Sequence, residues 1–203
     1  MQEQMEVHQD QDYWHQVRLA LLQLKGLEDS YNEVISFPWK TFTLNPFGFL
    51  LFQLGGDLED LEAALNKSDA KKPLGSGSCS ALIKLLPGNK ELLVSHVTWN
   101  TYQSMLRIIK KYTLPFRRSP NGGPVVPGSV QTFSSYPGAI FSGDDFYIIS
   151  SGLVSLETTI GNSNPDLWKY ITPKNSVLEW LRNIVANRLA TGGQEWADVF
   201  TRF

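Results

Sequence analysis

Apolar residues recur at three- and four-residue intervals along 12–25, where Trp14, Val17, Leu21 and Leu24 alternate with polar neighbours. That period puts side chains on one face of a helix. The pattern predicts a helix here, with Gly26 as its stop. The residue before Pro38 is pushed out of the helical region, so Phe37-Pro38-Trp39 reads as extended. A second helical stretch is predicted from Asn45-Pro46, broken at Gly55-Gly56. Asp57 is then expected to cap a short helix over 58–65. Residues 66–78 (NKSDAKKPLGSGS) lose all apolar periodicity and have the composition of a flexible linker.

Beyond the linker the period changes. Residues 79–86 and 91–98 are strand-like runs on either side of Pro87-Gly88-Asn89-Lys90, which predicts a β-hairpin. Residues 100–112 are read as a helix with Tyr102, Leu106 and Ile109 on one side. Residues 114–129, rich in Pro and Gly, are read as an irregular excursion. Strands are expected over 146–150 and 153–160 around Ser151-Gly152. An amphipathic helix is expected over 175–190, with Leu178, Leu181, Val185 and Leu189 inward and Gly192 as its stop. Residues 195–200 begin another. The fold class is α+β. The organisation is a mostly helical piece, 1–78, ending in the Gly/Ser linker, and a mixed piece, 79–203.

Composition narrows the partners. The chain has 203 residues, 42% hydrophobic and 19% charged, enough for one sizeable core. A net charge of -2 leaves no basic footprint for nucleic acid and no polybasic membrane anchor. The longest apolar run, around 47–52, falls far short of the ~18 residues of a transmembrane helix. The first residues lack the basic and apolar regions of a signal peptide. A single cysteine excludes an internal disulfide and a multi-cysteine zinc site. Asn66-Lys67-Ser68 is a glycosylation acceptor pattern, meaningful only in a secretory compartment.

That cysteine, Cys79, stands where the linker meets the hairpin. Two readings are open. It is a small buried hydrophobe at the start of a strand, or it is a nucleophile released when the Ser78–Cys79 bond is cut. In the second reading the thiol attacks the Ser78 carbonyl and the thioester hydrolyses. The freed α-amine, with a reference pKa of about 7.7–8.0, then serves as base for its own thiol. If Leu86 pairs with Glu91 across the turn, Cys79 faces Thr98 and Ala81 faces His96. His96 then shares the sheet face of Cys79 at a diagonal. A slip of one residue would bring Val97 and Trp99 to that face instead. Plainer readings stand beside these. His96 and Trp99 can be core residues, and Thr158 and Thr159 ordinary strand residues. Asp144-Asp145 read as turn and capping residues, and His8 and His15 as surface residues.

The run GSGSCSALIKLLPGNKELLVSHVTWNTYQSMLRIIKKY resembles the phospholipase B-like family, as do FSSYPGAIFSGDDFYIISSGLVSLETTIGN and LEWLRNIVANRLATGGQEWADVFTRF. The resemblance runs from Trp14 to Phe203. It implies an N-terminal-nucleophile hydrolase with a four-layer αββα sandwich, matured by a cut between Ser78 and Cys79. Cys79 is then the nucleophile and His96 lines the pocket. Trp99 walls the pocket, a pocket threonine falls on Thr158 or alternatively Thr159, and Asn66 is glycosylated. No metal or organic cofactor is implied. The expected function is removal of fatty acyl chains from phospholipids through an acyl-enzyme, in the lysosome lumen or outside the cell. The alternatives are a non-peptide acyl-amide hydrolase and a non-catalytic lumenal binding protein. The pieces on either side of the cut are expected to stay associated. Set against the family's length, the chain is expected to be a middle portion whose sandwich is incomplete and which is inactive alone.

Overall fold

The computed structural model describes residues 10–34, 44–45, 47–65, 78–100, 102–159, 164–172 and 176–203. The long first helix, α1 (Gln11–Val34), carries the expected stripe. Tyr13, Trp14, Val17, Ala20 and Leu24 are all buried in the main core. Gly26 does not end the helix. The stripe continues past it through Leu27, which packs on the core, and Tyr31, whose ring meets Phe49 at 5.5 Å. The Lys25–Asp29 ion pair brackets the glycine. Tertiary contact on both sides outweighs the local cost of about 1 kcal/mol for glycine inside a helix. The short α2 (Gly48–Leu51) and α3 (Gly55–Ala64) follow. Gly55-Gly56 thus opens α3 instead of breaking a helix. Residues 37–39 lie outside the described residues.

Among the described residues, eight strands form three antiparallel sheets. The hairpin pairs β1 (Ser78–Leu85) with β2 (Leu92–Trp99). A four-stranded sheet has the order β3 (Ile108–Thr113), β6 (Val130–Ser135), β7 (Phe146–Ile149), β8 (Val154–Leu156). A small pair, β4 (Arg117–Ser119) and β5 (Gly122–Val125), fills the stretch read as irregular. The helix expected over 100–112 is replaced by a short 3-10 turn at Tyr102–Met105 and by β3. Ile108, Ile109 and Thr113 are β-branched and suit a pleated strand. Lys110 reaches inward to donate to the carbonyls of Tyr136 and Ala139. Pairing with β6 overrides the helical spacing.

Two helices close the chain, α4 (Glu179–Leu189) and α5 (Gly193–Phe200). Trp180, Leu181, Ile184, Val185 and Leu189 of α4 join the stripe of α1 in one core. On the sheet side, Ile184 and Arg188 line a small cavity together with Tyr112, Phe133 and Tyr147. Arg188 is 4% exposed, its guanidinium over the Phe116 ring at 4.9 Å, and it donates to Gln16 O and Gln23 Oε1. Burial depresses its pKa to about 10. Gly128 is a close approach: a Cβ there would lie 1.9 Å from Asn187 O.

The hairpin is apolar on both faces, and each leaves large side chains exposed. Ile83, Leu85 and Leu92 are exposed on one side, Leu82, Leu93 and Val97 on the other. The outer face of the four-stranded sheet likewise exposes Ile109, Ile148 and Val154.

Asp57 caps a different helix from the one expected. It lies in the first turn of α3, and its Oδ1 accepts from Glu179 N at 2.8 Å, at the start of α4. Burial raises its pKa, ahead of the opposing hydrogen bonds from Glu179 and Trp180. Asp57→Ala is expected to cost about 1 kcal/mol in urea unfolding at neutral pH. Asp57→Asn, which keeps the acceptor and removes a disfavoured charge, is expected to hold wild-type stability. Equal loss in both variants would contradict the capping role.

Candidate active site

Hairpin closure sets the geometry. Leu86 N donates to Glu91 O at 2.8 Å, and Gly88 and Asn89 take φ of 72° and 53° to make the turn. Those left-handed values are cheap for Gly and tolerated by Asn. The resulting register pairs Cys79 with Thr98 and Ala81 with His96, the pairing expected from the sequence. Cys79, His96 and Thr98 therefore share one face.

On that face the contacts form a chain. Cys79 Sγ lies 3.9 Å from Thr98 Oγ1, and the Thr98 hydroxyl donates to Asp144 O at 3.1 Å. With its hydrogen committed there, Thr98 Oγ1 is the acceptor for the thiol. His96 Nδ1 stands 3.5 Å from the same oxygen, and His96 Nε2 lies 2.8 Å from Glu157 O. A carbonyl only accepts, so Nε2 carries the hydrogen and Nδ1 is left as the acceptor in the neutral ring. The imidazole stacks on Phe146 with centroids 6.1 Å apart. Thr98 Oγ1 thus lies beside both the cysteine sulfur and the imidazole, with its own hydrogen given to neither.

The segment supplying Asp144 is tightly fixed. Gln53, 1% exposed, donates to Gly138 O and accepts from Ile140 N. Ser135 Oγ donates to Phe141 O at 2.7 Å, and Ser142 N donates to Tyr147 Oη at 2.6 Å. Asp144 is 3% exposed; its Oδ1 accepts from Tyr136 Oη at 2.6 Å and lies 3.5 Å from Arg107 Nε. Arg107 also donates to Thr98 O at 2.8 Å, which fastens the end of β2 to this segment.

The thiol sits in an unfavourable field for ionisation. Burial pushes the Cys79 pKa up, the Thr98 hydrogen bond opposes this, and the charges of Glu157, Asp145 and Asp144 add to the rise. Asp145 is pushed up to about 8, first by burial, then by the charge of Glu179 and by the hydrogen bond and charge of Glu157. Burial also raises Glu179. With its backbone amide intact, Cys79 rests as a protonated thiol.

The other sequence-derived candidates are distributed around this face. Trp99 pairs with Ser78 and is 48% exposed, on the opposite face from Cys79. Thr158 is half-buried and Thr159 exposed, directly following Glu157, whose carbonyl holds His96. Ser78 begins β1, so the bond to Cys79 lies within a paired strand. Asn66 and His8 lie outside the described residues, and His15 is half-buried. A cleft of about 480 Å³ lies elsewhere, between the start of α1 and α5, and is crossed by the Arg118–Asp12 and Arg202–Asp10 pairs. Among the described residues no group of three or more His, Cys, Asp or Glu is arranged to hold a metal ion, and no helix is long and apolar enough to cross a membrane.

Sequence reasoning gave Thr98 no role, although its place opposite Cys79 was legible from the register. Asp144 and Glu157 act here through backbone carbonyls, which leave no signature in residue identity.

The profile of the family described as Phospholipase B matches residues 1–203. "Putative phospholipase B-like 2" of Homo sapiens is 69% identical over the whole chain, which covers 35% of that protein. The Mus musculus protein of the same name is 67% identical, again over the whole chain and 34% of its own length. "Phospholipase B-like protein B" of Dictyostelium discoideum is 38% identical over the whole chain and 36% of its length. The chain spans about a third of the length of these curated relatives. A match over every residue, the Cys79 hairpin included, means that the chain belongs to the Phospholipase B family.

Proposed function

We propose that this chain carries the nucleophile of an N-terminal-nucleophile hydrolase that removes fatty acyl chains from phospholipids. The observation that carries this reading is the Cys79–Thr98–His96 face at the start of a strand, in a chain of the Phospholipase B family. Maturation begins when the Cys79 thiol adds to the Ser78 carbonyl carbon. The C–N bond breaks, the α-amine of Cys79 takes up the thiol proton, and a thioester joins Ser78 to Sγ. Water hydrolyses that thioester, leaving a Ser78 carboxylate and a free Cys79 amine and thiol. In turnover the amine accepts the thiol proton and the thiolate adds to the acyl carbonyl of the lipid. The alcohol departs with a proton, and water hydrolyses the acyl-thioester. Thr98, its hydroxyl aimed by Asp144 O, orients the sulfur, and His96, held by Glu157 O, lines the same face. Thr158 or Thr159 lines the pocket, whereas Trp99 faces away from Cys79 on the other side of the hairpin.

The αββα sandwich is part of this proposal. A hairpin apolar on both faces suits the interior of stacked layers, and that supports the assignment. Packing of α1 against α4 supports retention of 1–78 after the cut. Residence in the lysosome lumen or outside the cell, with glycosylation at Asn66, belongs to the same reading. An acyl amide would pass through the same steps; the relatives' names favour the ester.

In a protein of the relatives' full length carrying this chain, Cys79→Ala is expected to lower phosphatidylcholine deacylation by more than about 10³-fold, the scale of losing a nucleophile. Deacylation at the wild-type rate would contradict the assignment. Before any cut, iodoacetamide should modify Cys79 with a half-maximal pH above the ~8.5 of an ordinary cysteine. A midpoint at or below that value would show that the intact amide already permits the thiolate.

A further inference from the structure

Gln53 stands on the amino-terminal side of the Ser78–Cys79 bond, in the turn between α2 and α3. It is 1% exposed, and its side-chain amide bonds to main chain at three points. Nε2 donates to Phe49 O at 2.9 Å and to Gly138 O at 3.0 Å, and Oε1 accepts from Ile140 N at 2.8 Å. Carbonyls only accept and a backbone N–H only donates, so the amide has a single workable orientation. Both of its hydrogens are used. The base of this clamp is firm. Phe49 and Leu50 pack on the main core, and Gln53 N donates to Leu50 O at 2.9 Å.

The clamp closes on the loop that leads to the site. Gly138 takes a left-handed φ of 80°, open to glycine without strain, and a Cβ there would meet the Phe52 ring at 3.5 Å. Beyond Ile140, Ser135 Oγ holds Phe141 O, and Tyr147 Oη accepts from Ser142 N. Asp144 comes two residues later, and its carbonyl receives the Thr98 hydroxyl beside Cys79 Sγ. A side chain from before the scissile bond thus fixes the loop whose carbonyl aims the neighbour of the sulfur after it.

We propose that Gln53 is a positioning residue for the Cys79 site, acting through the 138–144 loop, so that the piece before the cut is a working part of the mature site. The catalytic half of this proposal rests on the function assigned above; the structural half does not. An apolar side chain at this position leaves Gly138 O and Ile140 N without partners in a buried place. The loop then shifts to find them, and Asp144 O moves with it. The Thr98 hydroxyl loses its fixed acceptor, and Sγ loses the oxygen that orients it. Gln53 acts at a distance from the lipid, so its loss is felt in the chemical steps and not in substrate affinity. Scission needs the same sulfur aimed at the Ser78 carbonyl, and slows for the same reason.

In a protein of the relatives' full length carrying this chain, Gln53→Met keeps the length of the side chain and removes all three bonds. The kcat of its cut fraction for phosphatidylcholine deacylation is expected to fall roughly 10²-fold, the scale of a 1 Å misplacement, with KM unchanged. Scission at Ser78–Cys79 should slow in parallel. Asp57→Ala breaks a different contact between the two pieces, Asp57 Oδ1 with Glu179 N, and should keep wild-type kcat and scission. Gln53→Glu retains the acceptor for Ile140 N; it should show a smaller fall of the same kind and serves if the Met variant folds poorly. Hydrogen exchange at Ser142, Asp145 and Phe146 in the uncut Cys79→Ala background reads the clamp without catalysis. Protection there should fall about tenfold or more with Gln53→Met, the scale of one buried hydrogen bond left unmade. Wild-type kcat and scission in Gln53→Met, a change confined to KM, or an equal loss in Asp57→Ala overturns the positioning role. A wild-type protein that neither cuts itself nor deacylates lipid sinks the assigned function, and the exchange result then decides the clamp by itself.

Discussion

Two backbone carbonyls, those of Asp144 and Glu157, orient the chemistry of the hairpin. Each faces a side chain of β2, the first Thr98 and the second His96. A two-stranded ribbon is marginal by itself, and this one leaves apolar residues exposed on both faces. Its hold on the body is therefore polar, through these carbonyls and through Arg107. The loop behind Asp144 is rigid because buried side chains satisfy its backbone: Gln53, Lys110, Ser135 and Tyr147 each contribute. Core packing thus reaches the site through hydrogen bonds to main chain.

Much of the hairpin was legible in the sequence. Strong turn residues flanked by alternating runs set a register, and register alone puts Cys79, Thr98 and His96 on one face. The stripe of α1 was equally clear, yet its end was misread. Gly26 weakens a helix locally, but Leu27 and Tyr31 find partners in the folded state. β3 was misread because Tyr102, Leu106 and Ile109 happen to fall at helical intervals. β6 left almost no signal: its buried face mixes Gln131, Phe133 and Ser135, so polarity does not alternate cleanly. The contribution of Asp144 and Glu157 was illegible for a deeper reason. A carbonyl is common to every residue, and only tertiary folding decides which one meets an imidazole.

Electrostatics separates the two states of the cysteine. In the uncut chain the thiol is half-buried, faces three carboxylates and has a hydroxyl as its hydrogen-bond partner. Burial and the nearby acids outweigh the one contact that favours a thiolate, the Thr98 hydrogen bond. In the proposed mechanism the base for turnover is absent until the main-chain nitrogen is freed, which would couple maturation to activation within one residue.

The central claim is that this cysteine severs its own preceding peptide bond. Amino-terminal sequencing, with intact mass, of the protein and its Cys79→Ala variant purified from the same cells tests it most directly. The account predicts a species beginning at Cys79 in the first and an uncut chain in the second. Cleavage of both at that bond, or of neither, would contradict it.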